Sequence, residues 1–141
     1  MYKKTITYVD YDGTERTEDF YFNFNRAEIA RMEADTPGGL KAKIERIVNA
    51  KNYSEIYHMW EDLILRAYGE KTPDGRRFVK IDNEGVPVSK KFRETEAFSE
   101  FMSIIGSDAN EAAAFINGIV PTVPAAAADV VVTPATIASV Q

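Results

Sequence analysis

The only histidine, His58, stands in the run His58-Met59-Trp60-Glu61-Asp62. One helical turn separates it from Glu61, so an imidazole and a carboxylate can share a helix face, the beginning of a cation site. Two ligands do not close such a site, and the chain has 1 His and 0 Cys. A partly exposed structural histidine is the favoured reading. Asp10, Asp12 and Glu15, with Glu18 and Asp19 close by, form a second acidic group. Asp-x-Asp-Gly opens like a calcium loop, which needs about six oxygens in a defined order. No glutamate completes it, and turn chemistry explains these residues better. The third group is basic: Arg76, Arg77 and Lys80, helped by Lys90, Lys91 and Arg93, could grip phosphates or an acidic partner. Against this stands a solvated loop whose Phe78 plugs the core, and that reading is preferred. Gly38-Gly39 lacks the spacing and the lysine of a phosphate loop. Neither a nucleophile elbow nor a Ser–Lys pair is present, and without cysteine neither disulfides nor thiolate catalysis arise. The expectation is a protein that is not an enzyme and uses no metal or cofactor.

The elements that must position these residues follow from periodicity. Ile56, Met59, Trp60, Leu63, Ile64 and Ala67 recur at three- and four-residue steps, a helical stripe. Tyr57 and Tyr68 widen it, so this helix touches protein on more than one side. Ser54 is expected as its N-cap and Gly69 as its stop. Trp60, the sole tryptophan, makes this helix the expected anchor of the core. Tyr2 to Phe24 reads as a β-hairpin turning at Asp10-Tyr11-Asp12-Gly13, with Phe20, Phe22 and Phe24 on the face that covers the helices. Asn25 with Glu28 resembles a capping box at the start of a helix that ends at Pro37-Gly38-Gly39. A second helix spans about Leu40 to Ala50. Arg76 to Ile81 is a short extended piece. Another helix runs from about Ser89 to Gly106, and a last one from Ala109 to Ile116, capped by Ser107-Asp108 and closed by Asn117-Gly118. The fold class is therefore α+β: an N-terminal β-hairpin packed on a mainly helical bundle of about five short helices. One domain covers 1–120, with the hairpin at 1–24 and the helical part at 25–120.

After Pro121 the composition changes. Residues 121–141 are rich in alanine, valine, threonine and proline, with Asp129 the sole charge, which predicts a flexible or extended tail. Val130-Val131-Val132 has the composition to add a strand to an open sheet edge. The formal net charge of −5 argues against nucleic acid as a general partner. No apolar run is long enough for a membrane span, and no signal-peptide core follows Lys3-Lys4. Phe98, Phe101, Met102 and Ile105 belong to an aromatic, methionine-containing C-terminal region that can complete the core or leave an adaptable apolar groove for a partner.

Three stretches together carry a family resemblance. They are Met1-Tyr2-Lys3-Lys4-Thr5-Ile6-Thr7-Tyr8 with Asp12-Gly13 and Glu18-Asp19-Phe20-Tyr21-Phe22-Asn23; Tyr68-Gly69-Glu70-Lys71 with Asp74-Gly75-Arg76-Arg77-Phe78-Val79-Lys80; and Thr95-Glu96-Ala97-Phe98-Ser99-Glu100-Phe101-Met102 with Ala112-Ala113-Ala114-Phe115-Ile116-Asn117-Gly118-Ile119-Val120-Pro121. In order and combination they resemble the small tail assembly chaperones of long-tailed, siphovirus-type bacteriophages, over about residues 1–121. The resemblance implies a non-enzymatic helper in the host cytoplasm. Such a protein coats the tape measure protein, keeps it soluble, helps tail tube subunits polymerise around it, and is absent from the mature virion. It also implies that a longer, frameshifted form is made in many such phages. The tape measure protein and the tail tube protein are the expected partners, with room for a homo-oligomer. Arg76, Arg77, Phe98, Phe101, Met102 and Ile105 are the candidate partner-binding residues. Two rival readings remain: a structural head or tail subunit of the virion, and a small nucleic-acid-binding regulator using Arg76, Arg77 and Lys80.

Overall fold

A computed structural model describes residues 1–121. The tail expected after Pro121 lies outside the described residues. Strands β1 (Tyr2–Val9) and β2 (Glu15–Phe22) form the expected hairpin, in antiparallel register from Tyr2↔Phe22 to Val9↔Glu15. Strand alternation buries Tyr2 and Ile6 and half-buries Lys4 and Tyr8, while Lys3, Thr5, Thr7 and Val9 face solvent. At the turn, the Asp10 carboxylate accepts from the Asp12 and Thr14 amides at 2.9 Å each and from Arg16 Nε at 2.6 Å. The acidic residue that opens the would-be calcium loop is thus occupied in shaping the turn.

The hairpin does not stand alone. β3 (Tyr68–Lys71) pairs with the end of β2 through Tyr21↔Gly69 and Phe22↔Tyr68, and β4 (Phe78–Val79) pairs with β3. Among the described residues the result is a four-stranded antiparallel sheet in the order β1-β2-β3-β4. Six helices among the described residues complete the α+β fold: α1 (Arg26–Asp35), α2 (Gly39–Asn49), α3 (Tyr53–Ala67), α4 (Ser89–Arg93), α5 (Glu96–Ser107) and α6 (Ala109–Ile119). Asn25 and Glu28 make the capping box of α1, with N···O distances of 2.8 and 3.0 Å.

Several boundaries differ from the sequence reading, each for a local reason. Asn52, not Ser54, caps α3, its side chain accepting from the Glu55 amide at 2.7 Å. Gly69 does not terminate α3. Tyr68 is already extended, and Gly69 lies in β3, where an added Cβ would come within 2.5 Å of the Phe78 ring. The helix expected over Ser89 to Gly106 breaks at Thr95, whose hydroxyl donates to the Phe92 carbonyl at 2.7 Å and accepts from the Phe98 amide at 3.3 Å. It therefore closes α4 and caps α5. α6 runs through Asn117-Gly118 to Ile119. Gly118 lets that helix lie against β1: a Cβ there would sit 2.8 Å from Tyr2 Cβ and 3.3 Å from its Cα. The Phe24 amide donates to the Ile119 carbonyl at 2.8 Å, tying the end of α6 to the segment that follows β2.

The core centres on Phe22 rather than on α3. Its ring stacks on Phe101 at 4.8 Å and meets Tyr2, Tyr68, Phe92 and Phe115 at 5.5–6.0 Å. Tyr68 stacks on Phe92 at 4.3 Å. Of the α3 stripe only Leu63, Ile64 and Ala67 are buried, while Ile56, Met59 and Trp60 stay half-buried. Trp60 meets the aromatic cluster at its margin, 6.2 Å from the Phe115 ring.

Burial has a consequence at high pH. The Tyr68 hydroxyl is pushed up to about 12, first by desolvation and then by the charges of Glu70 and Glu18. Tyr2 is raised as well, by burial and by its hydrogen bond to Glu111. An unfolded tyrosine ionises near pH 10, so this contribution to stability is complete below pH 10. It is lost as pH climbs from 10 towards 12. Thermal melts at pH 9 and pH 11 are expected to show Tyr68→Phe losing about 1 kcal/mol less than the parent chain over that interval. Equal losses in both proteins would contradict this assignment.

Candidate protein-docking surface

The N-terminal half of α3 projects beyond the core. Its cap at Asn52 starts the helix with Tyr53, which is 81% exposed, and Tyr53 and Tyr57 pack ring to ring at 6.4 Å. Ile56 and Trp60 follow on the same projecting half, each half-buried. An apolar groove lies on either side of this ridge. One, of about 370 Å³, runs between α3 and α5 and is lined by Tyr53, Ile56, Tyr57, Trp60, Phe98 and Met102, with Ser99, Ser103, Ile105 and Gly106. The other, also about 370 Å³, lies between α2, α3 and α6 and includes Ile47, Val48, Ala50, Ala109, Ala112 and Ile116 beside Ile56 and Trp60. Neither has a charged residue in its walls. The depressions around His58, Glu28 and Asp82 are all lined by charges. An uncharged groove can bury apolar surface without desolvating an ion, so these two suit an apolar partner and the others do not.

The structure sorts the candidate residues. Phe98, Met102 and Ile105 do line the α3–α5 groove. Phe98 and Ile105 are 6% and 4% exposed, so half-buried Met102 offers most of the reachable surface of the three. Phe101 is 0% exposed and stacks on Phe22 behind the groove, where it supports the wall and presents nothing to a partner. Ile56, Tyr57 and Trp60 were expected to pack against protein, not to line a surface groove. Their signal was the extra width of the α3 stripe, which marks a helix with two apolar faces. It does not say that one of those faces is left open.

The basic group does not assemble. Lys80 points inward: its ammonium donates to the Asn23 carbonyl and Glu28 Oε2 at 2.7 Å and to the Arg66 carbonyl at 2.8 Å. It sits 4.6 Å from the centre of the Phe24 ring. All three donors are used, so Lys80 joins the end of β2, the start of α1 and the end of α3 and is unavailable to a phosphate. Burial lowers its pKa, and the Glu28 carboxylate opposes that shift. Lys90 and Lys91 line a depression shared with Asp82, Glu84 and Glu94, and Arg93 pairs with Glu61 at 3.5 Å. Arg76 and Arg77 are exposed on the β3–β4 turn shaped by Thr72 and Asp74, on a different element from Lys90 and Lys91. Lys80→Met would leave the Glu28 carboxylate and two carbonyls without their donor. The expected loss is about 1–3 kcal/mol in urea unfolding, and an unchanged midpoint would show that the tie is not structural.

His58 packs against the Tyr57 ring at 5.8 Å, and Asp62 pairs with Arg66 at 3.0 Å. Among the described residues no three His, Cys, Asp or Glu side chains converge in a cation-holding group, and no helix is long and apolar enough to cross a membrane.

A family model described as phage tail assembly chaperone matches residues 1–131. The chain belongs to that family. Membership is in a family of assembly chaperones, not an enzyme class, and implies protein partners in tail assembly. No curated protein and no solved structure matches this tail assembly chaperone. The family match continues past Pro121, where the described residues end, as far as Val131.

Proposed function

We propose that this tail assembly chaperone binds the tape measure protein through the α3–α5 groove, keeps it soluble, and promotes polymerisation of tail tube subunits around it. The observation that carries the proposal is the pair of charge-free grooves flanking one projecting ridge in a member of a tail assembly family. An amphipathic helix laid in such a groove buries its own apolar face, and Met102 with Tyr57 gives a wall that adapts to varied side chains. One groove of this size binds weakly. Many copies along one long client cover its apolar length by mass action, while each remains easy to remove. The net charge of −5 keeps the free chaperone from associating through the same surface. The work is binding rather than turnover, it takes place in the host cytoplasm, and the chaperone leaves before the particle is finished. Quantitative mass spectrometry of infected lysate and of purified particles tests the last point. The chain should be abundant in the lysate and scarce or missing in particles, whereas a fixed stoichiometry in finished particles would make it a structural subunit.

A further inference from the structure

We infer that the client segment seated in the α3–α5 groove is a basic amphipathic helix, apolar along one face and carrying Lys or Arg beside that face. The inference rests on the groove being the client site and adds what that site selects. The walls of the groove hold no charge, but the elements that build them carry charge of one sign. The stretch from Glu94 to Pro121, which contains α5 and α6, has acidic residues and no Lys or Arg. The same holds from Tyr53 to Leu65 of α3. Three carboxylates border the groove. Glu96 and Glu100 stand one helical turn before Ser99 and Ser103, the exposed residues that edge the α5 wall. Asp108 follows Ile105 and Gly106 where α5 ends, and caps α6 by accepting from the Asn110 amide at 2.9 Å. Glu96 accepts from the Tyr11 hydroxyl at 3.2 Å, a neutral donor that leaves its charge in place. The nearest cations along the chain do not cancel this rim. Arg93 is held by Glu61 at 3.5 Å, and Lys51 precedes the Asn52 cap at the other end of the groove.

An apolar groove with an acidic rim selects on two properties at once. The apolar face of a docked helix fills the groove. A Lys or Arg at the flank of that face lays its methylene stem over the apolar wall and sets its charge beside the rim carboxylates, still in contact with water. No ion has to be buried, so the attraction carries little desolvation cost. An acidic flank would meet like charge along the whole α5 side. A second copy of this chain is a poor occupant for the same reason. A two-fold contact through the groove would set Glu96 and Glu100 against the acidic rim of the other copy.

Synthetic helical peptides that share one leucine face and carry Lys, Gln or Glu along both flanks separate charge from apolarity. They are titrated into the full-length chain by fluorescence anisotropy. At low salt the Lys-flanked peptide should bind about 5- to 10-fold more tightly than the Gln-flanked one, the yield of about two or three exposed ion pairs, and the Glu-flanked one should bind least. The three should converge near about 1 M salt, where charges are screened within about 3 Å. In the Glu96→Gln, Glu100→Gln variant the advantage of the Lys flanks should fall to about twofold. The Gln-flanked peptide should bind that variant as it binds the wild-type chain, and circular dichroism should be unchanged. A Lys-flanked peptide that binds no better than the Gln-flanked one, or keeps its full advantage in the variant, overturns the inference. So does equal binding by a Lys-rich peptide that lacks the leucine face, which would reduce the effect to bulk charge. Peptide binding that disappears as the chaperone is concentrated would give the groove to a second copy, and also overturns it. The groove itself is read separately, with the uncharged probe. The Gln-flanked peptide should lose most of its affinity for the Tyr57→Glu, Met102→Glu variant, and unchanged affinity there would remove the groove as the client site whatever the flanks show.

Discussion

Phe22→Ala is expected to remove about 3–5 kcal/mol of stability, the usual cost of deleting a fully buried phenylalanine. A domain of this kind holds roughly 5–15 kcal/mol in total, so this one change should leave the protein marginal at 37 °C. The reason lies in the number of elements that meet at this ring. Phe22 is 0% exposed, ends β2, pairs with Tyr68 of β3, and touches rings from β1, α4, α5 and α6. A cavity there opens the sheet–helix interface in several directions at once, and the surrounding rings are too large to collapse into it. Trp60→Ala removes a larger side chain but one that is half-buried at the edge of two grooves, so the expected loss is smaller, about 1–2 kcal/mol. Urea unfolding of the two variants checks the order, and a Trp60 variant less stable than the Phe22 variant would return the centre of the core to α3.

The second large effect is on binding. Tyr57→Glu with Met102→Glu sets two carboxylates on opposite walls of the α3–α5 groove, at positions already half-exposed. Free in solution, both stay hydrated and the fold survives. With a client helix in place they are desolvated without a partner, which costs about 2–4 kcal/mol and weakens binding by roughly 30- to 1000-fold. Phe101→Glu would also abolish binding, but by unfolding the core, because its ring is inaccessible. The two cases separate by circular dichroism and thermal melting, which should be near normal for the double variant alone. Arg76→Ala with Arg77→Ala alters an exposed turn and is expected to change affinity only a few-fold, with the difference shrinking as salt rises. A double glutamate variant that binds the tape measure protein normally would place the client elsewhere.

The hairpin, the capping box at Asn25 and Glu28, and the inward face of Phe22 and Phe24 were legible because strand alternation and N-cap chemistry are local. The β3–β4 pair was not. Tyr68 and Gly69 carry a helix-ending signal, and only the open end of β2, far away in the sequence, turns that segment into a strand. Gly118 shows the same limit: a glycine near a helix end reads as a stop, whereas here it admits the Tyr2 backbone. Lys80 is the sharpest case. In sequence it completes a basic triplet, and nothing local reveals that the Asn23 and Arg66 carbonyls and the Glu28 carboxylate converge on it. For the docking surface the composition was visible and the exposure was not. Periodicity identified both the α3 stripe and the Phe98–Ile105 region as apolar, but which apolar side chains are left uncovered depends on how far apart α3 and α5 stand.

The central claim is that this small body keeps an apolar client in solution by contact through the α3–α5 groove. The most direct measurement is the soluble fraction of the tape measure protein when it is co-expressed with the wild-type chain, with the Tyr57→Glu, Met102→Glu variant, or alone. The account predicts a largely soluble client with the wild-type chain, and aggregation both with the variant and alone. A client equally soluble in all three, or equally insoluble with the wild-type chain present, would contradict it.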